Sequence, residues 1–133
     1  MDLKKITCVA GVGAAVMSTL LLGAGTASAA TYGGQCGSGY GVVGQHNITG
    51  GTIFLTFSNG SGNNCAVTIR NSTGSNHMDA LIGLSGDPNW EDTDPGNWST
   101  WAGPVYVYAR GHCVDWGGVI GSASWYQYNS HCS

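Results

Sequence analysis

Charge is scarce in this chain of 133 residues, where Asp, Glu, Lys and Arg together make up only 8%. The shortage is sharpest for cations. Both lysines, Lys4 and Lys5, lie in the first five residues, and only Arg70 and Arg110 follow. Beyond residue 30 those two arginines stand against Asp79, Asp87, Glu91, Asp92, Asp94 and Asp115, a net charge of −4 with histidines neutral. A chain with two cations cannot neutralise a run of phosphates, which excludes nucleic acid as a partner. The same deficit argues against attraction to anionic membranes. No stretch after residue 30 is apolar enough to span a bilayer, so no membrane association is expected once the N-terminus is removed. No window carries a helical stripe of useful length. No serine has glycine at both the −2 and +2 positions, so the nucleophile elbow of hydrolases is missing.

What is present begins with an address. Lys4 and Lys5 form a basic head, an apolar Gly/Ala-rich stretch runs from Ile6 to about Gly25, and Ala27-Ser28-Ala29-Ala30 supplies small residues of the kind a signal peptidase reads. Residues 1–30 are therefore expected to be a cleaved signal peptide and residues 31–133 a single domain. That domain holds nineteen of the glycines and nine asparagines. It also holds four cysteines, Cys36, Cys65, Cys113 and Cys132, which in an exported chain read as two disulfides. Three pairings are possible. Cys36–Cys65 and Cys113–Cys132 are favoured because each closes a local loop between neighbouring strand candidates.

Period-two alternation broken by Gly/Asn/Ser clusters marks strands and turns. Ile53, Leu55 and Phe57 share one face of a strand over Thr52–Phe57. Cys65, Val67 and Ile69 share a face of the next, Cys65–Arg70, with Ala66, Thr68 and Arg70 on the other. Ser58 to Asn64 between them is a hairpin connection with Asn-Gly turn chemistry. Met78, Ala80, Ile82 and Leu84 alternate in a third strand. Val105, Val107 and Ala109 alternate with Tyr106, Tyr108 and Arg110 in a fourth. Val119 to Gln127 reads as one last long strand, while Tyr40–Val43 and Cys113–Trp116 are shorter candidates. The sum is an all-β fold, a small antiparallel sandwich or barrel of about seven strands with two disulfides. Gly86 to Gly103 reads as a long, acidic, aromatic surface loop, at least up to Asn97.

Several patterns suggest chemistry and dissolve on inspection. Gly39-Tyr40-Gly41-Val42-Val43-Gly44 matches the dinucleotide fingerprint in letters, but that motif needs a preceding strand and a following helix. The dipeptides His112-Cys113 and His131-Cys132 would suggest zinc in a reducing compartment; outside the cell the thiols oxidise. Asp87, Asn89, Glu91, Asp92 and Asp94 crowd oxygens into one loop but fail the EF-hand spacing. No metal and no cofactor is expected, and no catalytic residue is assigned. Asn47, Asn59, Asn71 and Asn97 head Asn-x-Ser/Thr sequons and read as turn residues. The aromatics are the more informative set. Trp116 and Trp125, inside strands, are expected in the core. Trp90, Trp98 and Trp101, flanking the acidic loop, and Tyr106 with Tyr108 as a stripe on one strand face, are the candidate surface contacts.

Five stretches resemble the spore-associated protein A family of filamentous, spore-forming actinobacteria. They are Cys36-Gly37-Ser38-Gly39-Tyr40, Gly51-Thr52-Ile53-Phe54-Leu55-Thr56, Asn64-Cys65-Ala66-Val67-Thr68, Ala102-Gly103-Pro104-Val105-Tyr106-Val107 and Cys113-Val114-Asp115-Trp116-Gly117-Gly118. The resemblance implies a secreted protein at the spore surface and carries no catalytic motif. The expected function is a structural or interaction protein of the cell or spore surface, not an enzyme. Its expected partners are spore or cell-surface components, polysaccharide among them. Two alternatives stand beside it: a glycan-binding module using exposed tryptophans, and a small secreted hydrolase inhibitor presenting the Gly86–Gly103 loop.

Overall fold

The structure is a computed structural model and describes residues 29–133. The expected signal peptide lies almost wholly outside those residues. Among the described residues eight strands form two antiparallel sheets and no helix occurs. They are β1 (Tyr40–Ile48), β2 (Gly51–Ser58), β3 (Asn63–Arg70), β4 (Met78–Leu84), β5 (Asp92–Thr93), β6 (Trp101–Tyr108), β7 (Val114–Ile120) and β8 (Ala123–Ser130). One sheet runs β1-β2-β3-β6 and the other β5-β4-β7-β8. Both expected disulfides are formed, Cys36–Cys65 and Cys113–Cys132.

The core between the sheets takes one face of each strand. Ile53, Leu55 and Ala66 from the first sheet meet Met78, Ala80, Ile82, Val114 and Trp116 from the second, with Val105 and Val107 of β6. Alternation therefore reads correctly on β2, β4 and β6. On β3 it reads correctly but to the other side. Cys65, Val67 and Ile69 lie opposite Thr56, Phe54 and Thr52 of β2, on the outer face of the first sheet. That face is also dry. Phe54, Val67 and Ile69 form a second cluster, roofed by Ala30 and Tyr32. Cys36–Cys65 staples this N-terminal segment to β3. The strand carries its bulk outward because there is no room for it inward at this crossing: Thr68 faces Gly118 of β7, where an added Cβ would collide with Thr68 and Ile53.

Three sequence readings need correction. Tyr40–Val43 is the start of a nine-residue edge strand, β1. Its glycine motif opens a strand with no helix after it, so the dinucleotide reading has no physical basis here. Val119–Gln127 is a hairpin and not one strand: β7 ends at Ile120, Gly121 takes the left-handed conformation at φ 60°, and β8 begins at Ala123. The acidic loop is a strand edge for part of its length. Glu91 and Asp94 donate their amides to Ile82 and Ala80, and Gly96 and Met78 exchange both backbone bonds. Composition hid this, because prolines and turn residues mask a two-residue strand whose pairing is entirely tertiary.

Side chains close the two open corners of the sandwich. At one corner Asp92 accepts the Tyr106 amide at 3.0 Å and Asp94 accepts the Gly103 amide at 2.7 Å. Pro104 between them has no N–H to offer, so the β6 edge is left with little to donate to another chain. At the other corner the His46 ring stacks on Trp125, with centroids 4.0 Å apart. His131 Nε2 donates to the Val43 carbonyl at 2.9 Å. A carbonyl can only accept, so Nε2 carries a proton, and Nδ1 lies 3.2 Å from the Ser130 hydroxyl.

Candidate functional site

The residues singled out from the sequence occupy three separate places. Tyr106 and Tyr108 do share the outer face of β6, with Val105 and Val107 buried beneath. Their roles differ. The Tyr106 hydroxyl donates to the Cys36 carbonyl at 2.9 Å and its ring meets Tyr40 edge-on. Desolvation, then the neighbouring Tyr40 phenol, pushes Tyr106 above the ordinary tyrosine value of 10.0 and keeps it a donor. It locks down the N-terminal segment. Tyr108 is 57% exposed.

The three tryptophans do not form a line. Trp101 opens β6 opposite Ile69 and walls a groove of about 300 Å³ with Gln35, Arg70 and Thr73. Trp98 lies over Gly96 and spends its indole N–H on the Asp94 carbonyl. Trp90 lies on the other sheet, with its ring centroid 5.9 Å from Tyr126 and 6.1 Å from Tyr128. Trp116 is buried as expected, and Trp125 is half-buried against the core.

The oxygen-rich loop uses its carboxylates on backbone. Asp87 accepts the Asn89 amide, Asp92 and Asp94 hold β6, and Asp79 of β4 accepts the Asp94 amide. Among the described residues no three His, Cys, Asp or Glu side chains converge as metal ligands would. The two His-Cys dipeptides meet through the Cys113–Cys132 disulfide, and His131 is turned to Val43.

The arrangement with the most chemical content is the one around Trp90, and most of its members escaped the sequence reading. It sits on the outer face of the β5-β4-β7-β8 sheet. Register places Gly83 of β4 opposite Asp115 of β7, and Gly117 opposite both Leu81 and Tyr126. A Cβ has no room at Gly117 and only a tight fit at Gly83. A Cβ at Gly83 would press on the backbone of Asn89, Trp90 and Glu91, and one at Gly117 on the Tyr126 ring. The bare floor lets residues 89–91 lie directly on the sheet and sets Trp90 beside Tyr126 and Tyr128. A register shift in β8 and the left-handed Asn129 at φ 56° then aim the Asn129 amide at Asp115 Oδ1, at 2.8 Å. Ser85 donates its hydroxyl to the same oxygen at 2.7 Å.

The result is a cleft of about 110 Å³ lined by Asp87, Pro88, Asn89, Trp90, Asp115 and Tyr128. Asp115 is 9% exposed, while Tyr128 is 61% exposed at the rim. Neither arginine serves it: Arg70 donates to the carbonyls of Trp98 and Asn76, and Arg110 to that of Asn59. Next to Trp90 in the chain, partial desolvation and the neighbouring Asp87 carboxylate raise Glu91 above its ordinary 4.5. One signal in the sequence pointed here. Tyr126 and Tyr128 are two residues apart and must share a face of any strand containing both. Asp115 carried no such signal.

The comparisons agree with the resemblance carried by the five stretches. The curated Spore-associated protein A of Streptomyces coelicolor is 45% identical to this chain over 131 residues, covering 96% of this chain and 84% of the relative. No protein-family model matches the chain, and neither does any solved structure.

Proposed function

The chain belongs to the spore-associated protein A family, and from that premise we propose that it is a secreted protein that adheres to the spore surface through its aromatic outer faces. Its role in this reading is structural or interactive, with no reaction of its own. The observation that carries it is the exposure of large aromatics on both faces of a charge-poor sandwich. Tyr106 and Tyr108 stand on one sheet, and Tyr126 and Tyr128 on the other. A soluble monomer gains nothing from such rings in water, whereas interfaces are enriched in tyrosine and tryptophan. Two disulfides and closed corners suit persistence outside the cell. Export by residues 1–30 belongs to the same proposal, as does the absence of catalysis: His46 and His131 are spent on packing and backbone contacts.

The test is sedimentation. The oxidised domain, residues 31–133, is incubated with intact spores, peptidoglycan, chitin and cellulose, and the pelleted fraction is measured. Retention on spores is expected, falling several-fold in Tyr108→Ala or Tyr128→Ala and unchanged in Trp98→Ala. No retention on spores overturns the reading. Retention on one purified polysaccharide, lost in Trp98→Ala or Trp101→Ala, replaces it with a glycan-binding module.

A further inference from the structure

Asp115 poses a physical problem. As a residue it is only 9% exposed, and burying a charge is costly unless it is paired and hydrogen-bonded. The hydrogen bonds are there, both on Oδ1. The counter-charge is not, because the described part of the chain has only two arginines and no lysine, and both guanidiniums are committed elsewhere. Asp87 on the same wall adds a second carboxylate. The other wall is aromatic, and the faces of Trp and Tyr rings attract cations within about 6 Å of the ring centre.

We propose that the Trp90–Tyr128 cleft is a receptor for an ammonium group, the side chain of a lysine on a partner protein, with Asp115 as its counter-ion. This deepens the spore-surface reading and rests on it only for where the partner is found. Charge complementarity selects a cation. Size selects the bearer. Pockets that enclose whole small molecules measure roughly 300–1,000 Å³, and this one measures about 110 Å³. It admits the slim end of an alkylammonium chain, whereas an amino sugar would have to bring its ring in with its nitrogen. The site is also built in advance of any ligand. The bare Gly117 lets Tyr126 settle on the sheet, Gly83 leaves residues 89–91 close against it, and Ser85 with Asn129 fixes the carboxylate, so little ordering is left to be done on binding.

The experiment uses the oxidised domain and a free tripeptide, acetyl-Gly-Lys-Gly-amide, titrated while the Trp90 indole and Asn129 amide resonances are followed by NMR. Both signals are expected to shift saturably. The Nε-acetylated peptide, the same chain without its charge, is expected to leave them in place. Asp115→Asn keeps an oxygen for Ser85 and Asn129 and so preserves the fold; it is expected to weaken binding at least tenfold. Asp79→Asn removes an equal charge away from the cleft and is expected to leave binding unchanged. An equal response to the acetylated peptide overturns the proposal. So does an equal loss in Asp79→Asn, which would mean diffuse attraction to an acidic protein. A shift of the same two signals by chitohexaose or cellohexaose, with none by the lysine peptide, overturns it in favour of a sugar site. Peptide binding that persists in a protein spores do not retain overturns the spore-surface reading alone and leaves the cleft standing.

Discussion

Single atoms decide much of this fold. Gly118 sits where β7 crosses β3, and a Cβ there would meet Thr68 Oγ1 and Ile53. Gly118→Ala is therefore expected to cost about 1–3 kcal/mol, the usual range for overpacking, read as a lowered urea midpoint with an unchanged slope. The Thr68 hydroxyl is buried with no hydrogen-bond partner. Removing it in the double variant Thr68→Ala/Gly118→Ala should return most of that loss, since it makes the room and deletes an unsatisfied polar group. A single variant as stable as wild type would show that the sheets can part at this point.

Asp79 carries a pH dependence. Desolvation outweighs the amide bonds from Asp94 and Ala80 and raises its carboxyl above the ordinary 3.8. The native state then holds that proton to higher pH than the unfolded chain does. This residue's contribution to stability is thus full below about 3.8 and is lost as pH rises through the raised native value. Asp79→Asn keeps an acceptor for Asp94 and removes the titration. The difference in melting temperature, variant minus wild type, should grow as pH climbs from 3.5 to 7, where 3.5 and 7 are roughly the ends of the carboxylate window. A constant difference would place Asp79 in ordinary solvent.

At the scale of elements, β2 and β3 are buried on both faces, which antiparallel strands in small domains often are not. The extra layer is the N-terminal segment, and its anchor is a disulfide that closes a loop of 29 residues. Chain entropy values such a crosslink at about 3–4 kcal/mol. The paired change Cys36→Ser/Cys65→Ser should lower stability by about that amount. It should also open residues 30–39 to protease while the sheets persist, leaving Phe54, Val67 and Ile69 exposed to a hydrophobic dye. A loss below about 1 kcal/mol would mean that Tyr32, Tyr106 and the backbone hold the segment unaided. The short strand β5 shows the opposite economy. It contributes only two residues, yet Asp92 within it and Asp94 just beyond protect the β6 edge with carboxylates instead of a partner strand.

For the molecule as a whole, the acidic balance and the stapled sandwich fit the proposed role of a protein that persists outside a cell and adheres through its faces. The outer faces divide that labour. One carries the N-terminal segment and the Tyr106 lock. The other is scooped by two glycines into the Trp90 cleft. The tryptophans that look like one set in the chain are thereby dispersed, Trp101 to the first face, Trp90 to the second and Trp98 to the edge between them.

Patterning within a few residues determined a good deal. Alternation in Thr52–Phe57, Cys65–Arg70, Met78–Leu84 and Val105–Arg110 established strands, because a pleated strand repeats every two residues whatever surrounds it. Four cysteines beyond a signal-like N-terminus pointed to two disulfides and favoured the local pairing that the structure shows. Five quoted stretches established the family. Tertiary structure alone decided the rest. Which face of β3 is the core depends on how near β7 comes, and Gly118 sets that from another strand. Whether residues 91–96 are loop or edge depends on β4, to which they bond. The cleft draws on Gly83, Trp90, Asp115 and Tyr128, and Asp115 is positioned by Ser85 thirty residues away. Such contacts have no period in the sequence, since cross-strand register and chain crossings bring together residues whose spacing along the chain carries no sign of it.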